Sequence, residues 1–119
     1  LPHNGDIHKD HQMVFDAGLV ACRPNVDRGV KRIYVYETLS ETEWGIPRAS
    51  SAFIPVLFET LSEDDFEFKL SAMKCFESQL KNFPASRSLE TIEALAKVRG
   101  ATINTSRAEA FMIIREIQD

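Results

Sequence analysis

The feature that most restricts the fold is the segment RIYVYET, residues 32–38. It is short, rich in β-branched and aromatic residues, and almost entirely apolar at its centre, as many β-strands are. A strand without polar alternation suits a parallel sheet that is covered on both faces. We therefore expect an α/β arrangement in which helices flank a mostly parallel sheet.

Helical periodicity before this strand predicts a first helix in the segment DHQMVFDAGLVACRP. Asp10 is the expected N-cap, and Pro24 with the polar residues 25–29 is expected to end the helix. After the strand, residues 39–51 form a polar, irregular loop, and a loop of this length is often functional. The helix is expected to pack through residues at helical spacing, which are Val14, Phe15, Ala17, Gly18, Ala21 and Cys22.

Two more helices are predicted in the second half of the chain. Ser62 opens the first of them, with Asp65 at the capping-box position. Residues 88–99 form the other, which is expected to end at Gly100 as a left-handed cap. The apolar stripe expected on the helix after Ser62 contains Phe66, Leu70, Met73, Phe76 and Leu80.

Two extended segments complete the expected sheet. Residues 52–60 form one, although Pro55 limits how regularly they pair. Residues 108–117, AEAFMIIREI, close the chain as a strand. The order of helix, strand, loop, strand, helix, helix and strand again indicates an α/β layered fold. Three strands make a thin sheet, so the pattern is that of the second half of a larger layered domain.

Length and composition favour a single globular domain of ordinary kind. The chain has 119 residues, of which 44% are hydrophobic and 27% charged, and its net charge is −4. Nucleic-acid binding is not expected, because there is no basic stripe. No apolar run approaches the about 20 residues that a membrane span needs. Cys22 and Cys75 form no C-x-x-C pair, so we expect buried free thiols of a reducing compartment, the cytoplasm.

The segment GDIHKDH, residues 5–11, carries the clearest chemical pattern. His8 and His11 lie three residues apart at the start of a helix and can face the same cavity. Neutral imidazole is a good zinc ligand, and a nearby carboxylate orients an imidazole and favours its charged form. The pattern cannot complete a catalytic zinc site, which needs about three protein ligands. The alternative is that these residues are a polar, solvated helix cap.

Several segments together are similar to one enzyme family. GDIHKDH before an amphipathic helix, VYET, FIPVLFE, K-x-x-A-M-K-C-F-x-S-Q and RG…AEAFMIIRE resemble the C-terminal half of the LmbE-like, or PIG-L-type, zinc-dependent deacetylases of N-acetylglucosamine-type amides. The resemblance extends from Gly5 to about Glu116, and it is the order and spacing of the pieces that make it specific. It implies a Rossmann-like layered fold with a mostly parallel sheet, of which residues 1–119 are the C-terminal portion.

The resemblance also implies roles for the site residues. His11 would be a zinc ligand. His8 would face the substrate carbonyl as an imidazolium, and Asp10 would hold His8 and keep it protonated. The family's Ala-His-Pro-Asp-Asp-Glu motif, which supplies the other zinc ligands and the general base, is absent from this sequence. The chain would therefore carry only part of a zinc site and be a poor catalyst by itself.

Further residues carry weaker expectations. Asp6 could contact substrate or a metal-bound water, or it could simply cap a turn. Glu37 ends the first strand on the side where open α/β sheets bind ligands, or it is a solvated strand end. Trp44 could cover a sugar ring, although an ordinary packing role is the alternative. Structural roles are expected for Gln79, Arg87 and Glu109, the last perhaps as the partner of a buried arginine.

Two other functions remain open from the sequence. The chain could be a non-catalytic binding or assembly module derived from the same fold. It could also be a different metal hydrolase that recruits Asp6, Asp16 or Glu37 as ligands. The leading prediction is a zinc-dependent N-deacetylase whose partner is an N-acetylated amino sugar, and exposed apolar surface predicts self-association into a homo-oligomer.

Overall fold

A computed structural model describes residues 1–24 and 29–118 of the chain. The predicted order of helices and strands is confirmed, and a short 3-10 helix lies in the predicted loop. The elements are α1 (Lys9–Ala21), β1 (Arg32–Tyr36), the 3-10 helix (Ala49–Ser51), β2 (Leu57–Thr60), α2 (Glu63–Lys74), α3 (Leu89–Thr102) and β3 (Ala108–Glu116).

The three strands form one sheet in the order β1-β3-β2. β1 pairs antiparallel with β3, with Arg32 opposite Glu116 and an irregularity between Ile33 and Tyr34. β2 also runs antiparallel to β3. The amide of Val56 donates to the carbonyl of Phe111 at 2.9 Å, and the amide of Leu61 donates to the carbonyl of Arg107 at 3.1 Å. The residue numbers rise along one strand as they fall along the other, as they do in an antiparallel pair. The predicted mostly parallel, Rossmann-like sheet is therefore wrong.

The error in the sheet prediction arose from the tyrosines of β1. Ile33 and Val35 are buried at 4% and 0% exposure, whereas Arg32 and Tyr36 are exposed. The hydroxyl of Tyr34 donates to Glu116 at 3.1 Å on the accessible side. The strand therefore has one apolar face and one polar face, which suits an antiparallel sheet. Counting tyrosine as apolar concealed this alternation.

The chain divides into two compact units, which are described separately. Unit 1 comprises residues 1–57 and 111–119, and unit 2 comprises residues 58–110. Apolar burial in unit 1 centres on Phe15, Ile33 and Val35. In unit 2 the largest buried side chain is that of Phe66, at 2% exposure. Unit 2 also buries Ile92, Ala96, Ala108 and Ala110.

Helix α1 starts two residues earlier than predicted, with His8 as its N-cap in place of Asp10. It ends at Ala21, before Pro24, and the predicted stop in residues 25–28 lies outside the described residues. One face of the helix packs inward through Phe15, with Gly18 against Leu1. The other predicted packing face is exposed within this chain; its residues are Val14, Ala17 and Ala21.

Helix α2 begins as predicted but is shorter. Ser62 and Asp65 form a complete capping box. The helix ends at Lys74, so Phe76 lies beyond it and is 61% exposed. The carbonyl of Phe76 accepts turn hydrogen bonds from Gln79 and Leu80 instead of continuing the helix. Of the predicted apolar stripe, Phe66 is the buried member.

Helix α3 continues through Gly100 and ends at Thr102, so the predicted glycine cap is wrong. Its N-cap is Ser88, whose hydroxyl oxygen accepts from the amide of Thr91. Gly100 is instead required by a close approach, because a Cβ at that position would lie 2.7 Å from the Cα of Arg107. The left-handed conformation falls on Asn104, with φ of 60°.

Both cysteines are free thiols, as predicted, but neither is buried. Cys22 is partly exposed and Cys75 is exposed, and each is the residue that caps the C-terminus of its helix. In the part of the chain that the structure describes, no helix combines the length and the apolar character that a membrane span requires.

Candidate functional site

The segment GDIHKDH forms the turn that leads into α1. The amide of Asp6 donates to the carbonyl of His3 at 3.2 Å, which closes the turn. His8 caps the helix and His11 follows one turn later. Their imidazole rings stack with centroids 5.1 Å apart and planes at 25°. The structure therefore brings together the two histidines that the sequence singled out.

Asp6 contacts one member of this pair, His11, and is fully buried, at 0% exposure. Its Oδ2 is 2.7 Å from Nδ1 of His11. Its Oδ1 accepts from the hydroxyl of Thr42 at 2.6 Å. The backbone carbonyl of the same residue accepts from the side-chain amide of Gln12 at 2.7 Å. Asp6 thus has both carboxylate oxygens occupied by partners in unit 1.

His11 is held in a way that suits a metal ligand. An ionised carboxylate only accepts hydrogen bonds, so Nδ1 of His11 carries the hydrogen in this contact. Nε2 is then left with a lone pair, and the side chain is 26% exposed. Metal-binding histidines commonly donate their second ring nitrogen to a carboxylate in this manner. The donor chemistry of His11 therefore fits zinc.

His8 is bound differently. Its Nδ1 accepts from the backbone amide of Asp10 at 3.2 Å, while the nearest carboxylate oxygen of Asp10 is 4.0 Å away. The His8 and Asp10 side chains are 47% and 80% exposed. In this arrangement the hydrogen of a neutral His8 lies on Nε2. The backbone, and not the predicted carboxylate, orients the ring in this state.

The loop that follows β1 packs against the site segment. The amide of Ile7 donates to the carbonyl of Glu41 at 3.1 Å. The amide of Thr38 donates to Oγ1 of Thr42 at 2.8 Å. A Cβ on Gly45 would collide with the carbonyl oxygen of Gly5, so the two backbones meet where neither residue has a side chain. These contacts place Thr42 beside Asp6.

His3 is a buried residue to which the sequence assigned no role. It is 2% exposed, its Nε2 lies 2.9 Å from the carbonyl oxygen of Ser51, and its ring meets Phe53 edge to face with centroids 5.4 Å apart. Its Nδ1 has no hydrogen-bond partner among the described residues. Thr42 was also missed, because a threonine in a polar loop carries no local pattern that predicts its contact with Asp6.

The remaining chemical candidates are exposed or partly exposed. Asp16 is exposed on α1, and Glu37 is partly exposed just beyond β1. Trp44 is 59% exposed in the loop after β1. The structural roles predicted in unit 2 involve Gln79, Arg87 and Glu109. Arg87 donates to Gln79 and organises a loop, whereas Glu109 pairs with Lys69, with their charged atoms 2.5 Å apart.

Within residues 1–24 and 29–118, no group of three or more histidine, cysteine, aspartate or glutamate side chains could hold a metal ion. His11 is therefore a single candidate ligand, with Asp6 in contact with its opposite nitrogen. One alternative from the sequence was a metal site completed by Asp16 or Glu37. No such cluster of ligands is found among the described residues to support it.

Comparison with known proteins gives one relevant similarity. Over 76 residues the chain is 36% identical to the uncharacterized deacetylase YaiS of Escherichia coli (strain K12). The match covers 64% of this chain and 34% of that protein, so the chain spans about a third of its relative's length. No family model matches the chain. No solved structure matches it either.

Proposed function

We propose that this chain carries part of the active site of a zinc-dependent N-deacetylase that acts on an N-acetylglucosamine-type substrate. The observation that carries the proposal is the contact between buried Asp6 and Nδ1 of His11, which leaves a lone pair on Nε2 of a side chain that is 26% exposed. The similarity to a protein named a deacetylase supports the reaction class. The zinc and the amino sugar rest on the donor chemistry and on the resemblance to LmbE-like enzymes.

His11 holds the metal in this proposal, as one ligand among several. Zinc, when bound, supplies a Lewis acid for the amide carbonyl and lowers the pKa of water to about 7. Catalytic zinc has about three protein ligands, so donors besides His11 are required. The hydrolysis adds water to the acetamide carbonyl, breaks the carbon–nitrogen bond, and releases acetate and a free amine.

His8 acts on the substrate. Its ring stacks on that of His11 with centroids 5.1 Å apart, and the His8 side chain is 47% exposed. Nε2 of His8 carries the hydrogen when the ring is neutral. That hydrogen can be donated to the oxygen on which negative charge develops. As an imidazolium, His8 can also give a proton to the leaving amine.

Asp10 contributes in the charged state of His8. A protonated Nδ1 can no longer accept from the amide of Asp10 and must find an acceptor. The Asp10 carboxylate lies 4.0 Å away and needs to move about 1 Å closer to reach hydrogen-bond distance. Asp10 therefore stabilises His8 after protonation, whereas the backbone orients it before.

The first test is acetate release from N-acetylglucosamine by the protein as expressed from its gene. We expect zinc-dependent release that a chelator abolishes and added zinc restores. His11→Ala should abolish it, and His8→Ala should lower kcat by about 10²–10⁴-fold. Lys9→Ala, an exposed neighbour, is the matched control and should leave activity unchanged.

The competing function is a binding or assembly module without catalysis. This alternative predicts that sugar or protein binding persists in both histidine variants and that no acetate is released at any zinc concentration. Location in the cytoplasm and self-association remain predictions from the sequence. Sedimentation of the purified protein tests the second of these directly.

A further inference from the structure

We propose that Asp6 and Thr42 are positioning residues for His11, which together hold its imidazole in the tautomer with hydrogen on Nδ1 and keep Nε2 free for a metal. The identity of that metal rests on the proposed function, whereas the tautomer does not. This role replaces the substrate contact that the sequence suggested for Asp6, because the Asp6 side chain is fully buried within this chain.

The directions of the hydrogen bonds follow from the chemistry of the groups. The backbone amide of Thr38 can only donate, so Oγ1 of Thr42 accepts from it at 2.8 Å. The hydroxyl hydrogen of Thr42 is thereby directed to Oδ1 of Asp6, 2.6 Å away. Asp6, as a carboxylate, only accepts, so its second oxygen takes the hydrogen from Nδ1 of His11 at 2.7 Å. The donor and acceptor in each hydrogen bond therefore determine the donor and acceptor in the next one.

Burial gives this arrangement its energetic weight. A carboxylate removed from water is strongly destabilised unless hydrogen bonds replace its hydration. Asp6 accepts two such bonds, one from the Thr42 hydroxyl and one from Nδ1 of the His11 ring. Moving the hydrogen of His11 from Nδ1 to Nε2 would leave the lone pair of Nδ1 facing the buried carboxylate. The tautomer of His11 is therefore fixed by the folded chain.

The three histidines of the chain provide an internal comparison. His8 accepts at Nδ1 from an amide, and His3 donates at Nε2 to the carbonyl of Ser51. Both are therefore expected to carry their hydrogen on Nε2 when neutral. His11 is expected to carry it on Nδ1. One spectrum of the protein thus contains the test residue and two references.

The test is nitrogen NMR of the protein labelled with 15N-histidine, recorded without metal at pH 8, above the ordinary histidine pKa of about 6.5. In the wild type we expect His11 to show a protonated Nδ1 and an unprotonated Nε2, and His3 and His8 to show the reverse. Thr42→Ser keeps the hydroxyl and should preserve the pattern. Thr42→Val removes the hydroxyl at similar volume and leaves Oδ1 of Asp6 without its donor. It should therefore shift the nitrogen resonances of His11, although the carboxylate still selects the tautomer with hydrogen on Nδ1.

Asp6→Asn is the stronger variant, since an amide can present either a donor or an acceptor to His11. We expect it to lose the single tautomer while circular dichroism still reports a folded chain. Zinc binding, measured by competition with a chromophoric chelator on the protein as expressed from its gene, should weaken by about 10–100-fold in Asp6→Asn. Thr42→Ser should bind zinc as the wild type does.

The outcomes separate the two proposals. A wild-type His11 with hydrogen on Nε2 overturns the positioning role, whatever the variants do. If Asp6→Asn does not fold, Thr42→Val and Thr42→Ser decide, and identical spectra for these two overturn the role of Thr42. A third outcome is possible: His11 shows the expected tautomer, but its Nε2 resonance does not change when zinc is added. This outcome supports the positioning role and contradicts the proposed function.

Discussion

The two units of the chain bury different kinds of side chain. Among the described residues, unit 1 buries four polar or charged groups, whereas unit 2 buries one, the helix cap Ser88. The buried polar residues of unit 1 are His3, Asp6, Ser40 and Glu41. Unit 2 is organised instead around Phe66, whose ring lies 4.6 Å from the guanidinium carbon of Arg107.

This difference agrees with the proposed function, which places the candidate site in unit 1. A buried polar group costs free energy unless it is hydrogen-bonded, so apolar packing is the simpler way to stabilise a fold. Unit 2 follows that route and keeps its ionic contacts, such as Arg107 with Glu63, at or near the surface. Unit 1 retains a buried polar network where His8 and His11 lie. The positioning role proposed for Asp6 and Thr42 would account for this network.

The largest effect is expected in unit 2, on replacing its central aromatic residue. Phe66→Ala should lower the free energy of unfolding by about 4 kcal/mol, through lost burial and a residual cavity. Phe68→Ala, on the same helix but 77% exposed, is the matched control and should change it by less than about 0.5 kcal/mol. Urea unfolding followed by circular dichroism measures both. Equal effects of the two substitutions would contradict the assignment of Phe66 to the core.

The next effect concerns the polar network of unit 1. Asp6→Ala should lower the free energy of unfolding by about 3 kcal/mol, because it leaves the Thr42 hydroxyl and the His11 ring without their buried acceptor. Urea unfolding followed by the fluorescence of Trp44, the single tryptophan, reports on this unit. Asp16→Ala, at an exposed position, should have little effect. A loss below about 1 kcal/mol would mean that the network does not stabilise the unit.

A smaller effect is expected at the buried polar residue of unit 2. Ser88→Ala removes the acceptor for the amide of Thr91 and should cost about 1 kcal/mol of unfolding free energy. Ser106→Ala, at an exposed position, serves as the control. The comparison of the units predicts that Ser88→Ala changes only stability, whereas Asp6→Ala also changes the behaviour of His11. Altered zinc binding in Ser88→Ala would break that distinction.

The smallest effect is a pH dependence at the surface of unit 2. The hydrogen bond from Lys97, together with the charges of Lys97 and Arg107, holds the pKa of Glu93 below its ordinary value of 4.5. Glu93 therefore stabilises the folded state above pH 4.5, and this contribution is lost as the pH falls through the lowered pKa.

Comparing Glu93→Gln with the wild type by urea unfolding tests this sign. The free energy of unfolding of the wild type should exceed that of Glu93→Gln by a small amount at pH 7. This difference should decrease progressively as the pH is lowered below 4.5. Glu67→Gln, at an exposed position on α2, is the control and should show a weaker dependence. A difference that grows on acidification would contradict the assigned direction.

Local features of this fold were predictable from the sequence, and contacts between distant residues were not. The serine cap of α2 was found because the capping pattern lies within four residues. The sheet was predicted with the wrong direction, since strand pairing depends on residues far apart in the chain. Gly100 was taken for a helix cap, but it is needed for the approach of Arg107, which a helix pattern does not reveal.

The candidate site shows the same limit. The spacing of His8 and His11 predicted that their rings share one face, because it depends only on helix geometry. The partner of Asp6, Thr42, is 36 positions away and follows from the fold of the loop. The sequence therefore left open whether Asp6 contacts substrate or caps a turn. Its burial and the two hydrogen bonds that its carboxylate accepts favour the positioning role proposed above.

The measurement that tests the central claim most directly is the zinc content of the protein as expressed from its gene, compared with His11→Ala and His8→Ala. The account predicts about one zinc per chain in the wild type and in His8→Ala, and loss of zinc in His11→Ala. Acetate release should fall in both variants. Equal zinc contents in all three proteins would contradict the claim that His11 is a metal ligand.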